Sequence, residues 1–161
     1  MTTTGGPPAS AAGAKGRLLG VDYGQVRVGL AISDPERIIA SPLLTYVRTD
    51  ADRDAVFFRD LVRAEEVVAL VVGLPVHLSG REGEKAIEAR TFGAWLAGVT
   101  GLPLVFWDER FTTREAEGHL KSAGLSHKRR KDRRDRVAAQ ILLQTYIDAG
   151  CPGEQAIGPL E

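Results

Sequence analysis

Cysteine is almost missing: Cys151 stands alone in a chain of 161 residues. An internal disulfide and a cysteine-rich metal site are therefore excluded, and a reducing compartment is the natural setting. No apolar run approaches the ~20 residues of a membrane span. The opening Met1 to Gly16 is Thr, Gly, Pro and Ala without the apolar core of a secretory signal, so a cytoplasmic protein with no membrane association is expected. Net charge is also lacking, because 21 Lys and Arg balance 21 Asp and Glu. Several catalytic signatures are absent as well. Without G-x-x-x-x-G-K-[ST] the chain is not a P-loop nucleotidase, and neither H-E-x-x-H nor G-x-S-x-G occurs. His77, His119 and His127 are scattered rather than set at zinc-ligand spacing.

What is present is an ordinary globular composition, 43% hydrophobic, enough for one domain with a core. Met1 to Gly16 holds few large apolar residues and is expected to be a disordered leader. The domain is expected over 17–150, with an irregular tail over 151–161.

The stretch Arg17-Leu18-Leu19-Gly20-Val21-Asp22-Tyr23-Gly24 reads as a strand that runs out at an aspartate in a tight turn. Arg27 to Ser33 reads as its antiparallel partner, and Ile38 to Val47, interrupted by Pro42, as a third, broken or edge strand. Asp52 to Glu66 predicts an amphipathic helix with Val56, Phe57, Leu61 and Val62 inward. Val67 to Val72 is a β-branched apolar run suited to a strand covered on both faces. Gly73-Leu74-Pro75 closes it and a loop over 76–83 follows. A second helix is predicted over Glu84 to Val99, with Ala86, Ile87, Phe92, Trp95 and Leu96 as core. A fifth strand covers Leu104 to Trp107, and a third helix runs from Thr112 or Thr113 to about Gly124. Leu125 to Arg134 reads as a basic loop, with Asp135 opening the last helix. Three strands joined by short turns should be antiparallel, and the two entered through helices should lie parallel to the first. A mixed five-stranded α/β sheet with helices on both faces is the layout of the ribonuclease H-like fold.

In that layout Asp22 ends the first strand, an acid ends the fifth, and another lies near the last helix. Phosphodiester hydrolysis needs an activated water and relief of charge at the phosphorus, and two divalent cations about 4 Å apart supply both. Mg²⁺ and Mn²⁺ take hard oxygen ligands, so carboxylates from separate elements suffice. At the fifth strand Asp108 and Glu109 compete for the role; at the last helix Asp132 competes with Asp135. Gly73 leaves room beside the intervening strand end. The cations cluster in His127-Lys128-Arg129-Arg130-Lys131 and continue with Arg133, Arg134 and Arg136. No aromatic interrupts the run, so phosphate-backbone contact is indicated rather than base reading. Arg27 and Arg110 are further phosphate-contact candidates.

The motifs GVDYGQVRVGLAISD, VVGLPVHLSG, DERFTTREA and DRVAAQILLQTYID stand in this order and spacing. Together they resemble the YqgF/RuvX family of ribonuclease H-like nucleases, also described as Holliday junction resolvases and pre-16S rRNA nucleases. The resemblance spans Arg17 to about Gly150. It implies that Asp22, Glu109 and Asp135 are both metal ligands and catalytic acids, for one or two Mg²⁺ or Mn²⁺ ions, and so favours Glu109 over Asp108. It implies a nuclease acting on structured RNA in 5′-end processing of pre-16S rRNA. The alternatives are cleavage of branched DNA in recombination and repair, and a non-catalytic rRNA-binding assembly factor. A homodimer would suit a two-fold junction. One departure stands out, since His77 occupies the place where the family commonly has Asn.

Overall fold

A computed structural model describes residues 15–111 and 127–153. The predicted helix over Thr112 to Gly124, the leader up to residue 14 and the tail beyond 153 lie outside the described residues.

Five strands form one sheet: β1 (Arg17–Asp22), β2 (Arg27–Ser33), β3 (Ala40–Val47), β4 (Val67–Leu74) and β5 (Leu104–Asp108), in the order β3-β2-β1-β4-β5. β2 pairs antiparallel with both β1 and β3, while β4 runs parallel to β1 and to β5. The predicted topology is the observed one. Pro42 sits on the edge strand, where its missing N–H costs least. The β2–β3 register shifts opposite it, between Leu30 and Ala31.

Helix α1 (Ala51–Ala64) and helix α2 (Glu84–Thr100) cover one face. Between them and the sheet lie Leu19, Val21, Leu30, Phe58, Leu70, Val72, Phe92, Leu96 and Phe106. The last helix, α3 (His127–Asp148), covers the other face, packing Ala139, Leu142, Leu143 and Tyr146 on Leu18, Ala31, Val71 and Trp107. The pleat sorts each strand: Leu19 and Val21 of β1 belong to the first layer and Leu18 to the second. By that parity Asp22 belongs with the α3 layer. β4 is apolar on both faces because both are covered.

Three sequence expectations shift. In α1, Val56 is exposed and the buried stripe is Ala55, Phe58 and Val62. The adjacent phenylalanines both touch Tyr46, and packing against Phe92 and Trp95 selects the stripe holding Phe58. In α2, Ile87 is exposed, because Ala86, Ala89 and Phe92 already face the sheet side. Residues 127–134 are not a loop, and Asp135 does not open the last helix. Helix α3 begins at His127, which places Asp135 in its third turn. Lys and Arg are good helix formers, and no Gly or Pro interrupts the run. The sequence also spaces Lys128 and Asp132, and Lys131 and Asp135, four apart, a helix-supporting pattern.

Asp54 is a buried carboxylate that ties α1 to β3. It accepts from Tyr46 Oη (2.6 Å), Thr49 N (2.9 Å) and Thr49 Oγ1 (3.0 Å), with Arg48 nearby. Burial pushes its carboxyl up, but these donors and the Arg48 charge outweigh that and hold it below the usual carboxylate range. A lowered folded pKa stabilises the protein above the unfolded value, about 4, and this contribution is lost as pH falls through the folded value. Asp54→Asn is therefore expected to cost roughly 1.5–3 kcal/mol at pH 7, and less as the pH approaches 3. Urea denaturation of both proteins across that range checks the convergence.

Candidate active site

The site lies where β1, β4 and β5 end. Val21 is level with Val72, and Gly73 with Trp107, so Gly73 stands between the end of β1 and the end of β5. Glu109 opens a single 3₁₀ turn, Glu109–Phe111, directly after β5. Its side chain crosses the space above Gly73: a Cβ built there would collide with Glu109 Oε1 and lie 2.8 Å from Glu109 Cδ. Across this gap Glu109 hydrogen-bonds the carboxyl of Asp22.

This pair is electrostatically costly. Burial, the charge and hydrogen bond of Glu109, and the charge of Asp135 all push the Asp22 carboxyl well above its ordinary value. Burial also raises Glu109, the bond from Asp22 draws it back, and the Asp108 charge adds to the rise. Both carboxyls of the pair resist ionisation, because each is shielded from water beside like charge. Asp108 takes a different part. It is buried and bound by Arg110, whose Nε lies 2.7 Å from Asp108 Oδ2 and whose backbone N is 2.9 Å from Oδ1. Of the two competing acids, Glu109 is the one that meets Asp22.

Asp135 arrives from α3 on the other side. Its backbone presses on β2 at Gly29, where a Cβ would overlap the Asp135 carbonyl and sit 3.0 Å from Arg136 N. Gly29 is paired with Asp22 across β1–β2, so the same register that places Asp22 also admits the Asp135 turn. The Asp135 carboxylate is held by Arg27, with Nε to Oδ2 at 3.1 Å. Among the described residues no three His, Cys, Asp or Glu side chains are gathered into a ready metal cage. Asp22 and Glu109 touch, while Asp135 stands close enough to act on Asp22 by charge yet is engaged by Arg27.

The donor set nevertheless suits a hard divalent cation. Two carboxyls lie within hydrogen-bond reach of each other, and a third carboxylate borders the same cleft. That cleft encloses about 580 Å³, and Glu109, Asp135, Arg27, Glu84, Lys85 and Glu88 are among its lining. Asp22 meets it through Glu109.

The predicted phosphate contacts divide. Arg27 lines the cleft. Arg110 is nine-tenths buried, committed to Asp108 and to the Leu78 carbonyl at 3.0 Å, and so pins the loop after β4. Arg133 and Arg134 are exposed on α3. The backbone of Lys128, Arg129, Arg130 and Lys131 forms the first turns of that helix. His77 folds its loop back through Gly80 N to His77 O (2.7 Å), its ring beside Gly83 at the head of α2. The sequence reading did not single out Tyr23, Gln25 or the polar head of α2. The signal was there: Glu84 and Glu88 stand four apart on one helix face just after a glycine-rich loop.

A mixed sheet in this order, with carboxylates gathered where its parallel strands finish, defines a ribonuclease H-like protein. The solved structure of Thermus thermophilus RuvC has the same fold, with a TM-score of 0.52 at 13% identity, covering 86% of this chain and 99% of that one. The model of the RuvX family, described as Holliday junction resolvase, matches residues 16–149, and the chain belongs to that family. It is a nuclease, a hydrolase of phosphodiester bonds. A relative from Rhodopirellula baltica named "Putative pre-16S rRNA nuclease" is 47% identical over 136 residues, 84% of this chain and 79% of the relative. One of the same name from Koribacter versatilis is 40% identical over 133 residues, 83% of this chain and 87% of the relative. No helix among the described residues is long and apolar enough to cross a membrane.

Proposed function

We propose that this chain is a divalent-metal-dependent nuclease acting in the cytoplasm on the 5′ end of immature 16S rRNA. The observation that carries the reading is the Asp22–Glu109 pair, made across Gly73 and bordered by Asp135. The rRNA substrate rests on the names of the relatives.

In this reading Asp22, Glu109 and Asp135 hold Mg²⁺ or Mn²⁺. The bound cations would supply an activated water and neutralise charge developing on the phosphoryl oxygens. The chain's own residues do the rest. Asp22 and Glu109 would both serve as ligands in their deprotonated form. Arg27 holds Asp135 at the rim, and its guanidinium would pair with a backbone phosphate at the same time. The exposed Arg133 and Arg134 extend positive charge along α3, and Lys128, Arg129, Arg130 and Lys131 are proposed as further phosphate contacts.

Removing the metal tests the reading. EDTA is expected to abolish cleavage of a 5′-extended rRNA fragment while changing its affinity by less than about tenfold, and added Mg²⁺ or Mn²⁺ should restore turnover. Cleavage that persists in EDTA would sink the metal mechanism. Binding without turnover under any metal would leave a non-catalytic assembly factor. The family description favours branched DNA as a second substrate. A two-fold junction calls for a symmetric pair of sites, so a dimer on junction DNA by light scattering is the outcome expected if resolution is a main activity.

A further inference from the structure

Beside the acid cleft lies a second hollow of about 380 Å³, on the α1 and α2 side of the sheet. Its walls are mostly apolar, with Tyr23, Phe92, Trp95, Ile87, Thr91 and Arg48 among them. Tyr23 and Glu88 line both hollows. Tyr23 directly follows Asp22, so the chain passes from one to the other at a single peptide bond. A strand with its scissile phosphate at the acids would have its neighbouring nucleotide at this opening.

The walls suit a flat aromatic ligand. The rings of Tyr23 and Phe92 lie 4.9 Å apart, and those of Phe92 and Trp95 5.5 Å. The Arg48 guanidinium sits 5.4 Å from the Tyr23 centroid and 5.2 Å from that of Phe92. Phe92 is buried and backs the wall, Arg48 braces it, and the half-buried Tyr23 and Trp95 rings are the aromatic surface another π system can reach. Ile87 and Thr91 stand exposed at the mouth. A phosphate does not suit the hollow, because Asp54 and Glu88 also border it. A neutral base does. Glu88 already accepts from Gln25 (2.7 Å), Asp54 from Tyr46, and Thr91 Oγ1 donates to the Ile87 carbonyl. With these groups committed, recognition falls to stacking, which tolerates any base.

We infer that this hollow takes one unpaired nucleobase of the strand held in the acid cleft, stacked on the half-buried rings of Tyr23 and Trp95. The inference rests on the nuclease reading and sharpens it. The enzyme would act beside an unpaired nucleotide, such as one in a single-stranded extension or at a branch, and poorly within an uninterrupted duplex.

Trp95 is a built-in reporter, since the only other tryptophan, Trp107, is buried against α3. The test titrates the full chain, in EDTA, with a single-stranded RNA hexamer and with a six-unit abasic sugar-phosphate of equal charge. The hexamer should quench tryptophan fluorescence and bind about tenfold more tightly than the abasic chain. Trp95→Phe should remove the quench. Thr91→Glu, at an exposed helical position that tolerates it, should erase the preference for bases. Equal or undetectable binding of the two ligands overturns the inference, as does a quench that survives Trp95→Phe. Cleavage by Asp22→Asn is measured in parallel. If that variant cleaves like the wild type, the nuclease assignment falls and the stacking result stands; if cleavage needs Asp22 but bases confer no affinity, only the hollow loses its role.

Discussion

Asp22→Asn is expected to lower single-turnover cleavage by about 10³-fold or more, with no loss of stability in metal-free protein. Asparagine keeps the shape of the side chain and can still donate to Glu109, but it carries no charge for a cation. In the metal-free protein the native carboxyl is buried against Glu109 and within reach of the Asp135 charge. Asparagine occupies that place without the cost of an ionisable group beside Glu109 and Asp135, so the denaturation midpoint in EDTA should stay level or rise. Sites that gather like charges for function trade stability for it. Cleavage of a 5′-extended rRNA fragment and urea unfolding in EDTA check the two halves. Near-wild-type cleavage would remove Asp22 from the chemistry, whereas an unfolded variant would show that the carboxyl serves the fold instead.

Two glycines should separate the site from the scaffold. Gly73→Ala is expected to lower activity about 10²-fold and to change stability by less than about 1 kcal/mol. The added Cβ meets the far end of Glu109, a flexible side chain that can swing aside. The strand loses little, but the carboxylate that bonds Asp22 is displaced. Gly29→Ala should behave differently, because there the Cβ overlaps the backbone of Asp135. Helix α3 must then move away from β2, at a cost of about 1–3 kcal/mol or more, and Asp135 moves with it. Activity and stability should fall together in this variant. Parallel cleavage assays and urea denaturation distinguish the two patterns. A Gly73→Ala protein with full activity would refute the idea that Glu109 must reach over β4.

Much of the fold was legible because its signals are local. β1 and β2 are bounded by a tight turn, β4 is a β-branched run between a helix and Gly73-Leu74-Pro75, and the antiparallel and parallel pairings follow from the connections. The register of the helices was less legible. In α1 the periodicity pointed to Val56, Phe57, Leu61 and Val62, and only the partners across the layer turned Phe58 inward and Val56 out. The start of α3 was misread because a run of charge without apolar periodicity looks like a loop from composition alone. Its helicity rests on intrinsic propensity, on i, i+4 spacing and on the apolar continuation from Val137 onward.

The order of the elements, the acids that end β1 and β5 and the glycines beside them were determined by the sequence alone, since each is a property of a short stretch. Which acids meet was decided only in three dimensions. Asp108 and Glu109 are neighbours with the same charge, yet a half-turn of backbone sends one to Arg110 and the other across Gly73 to Asp22. Likewise, nothing local announces that Tyr23 shares a wall with Phe92 and Trp95, nearly seventy residues on, or that Arg27 holds Asp135. Such pairings depend on the strand register and the packing distance of a helix, which are set by the whole sheet at once.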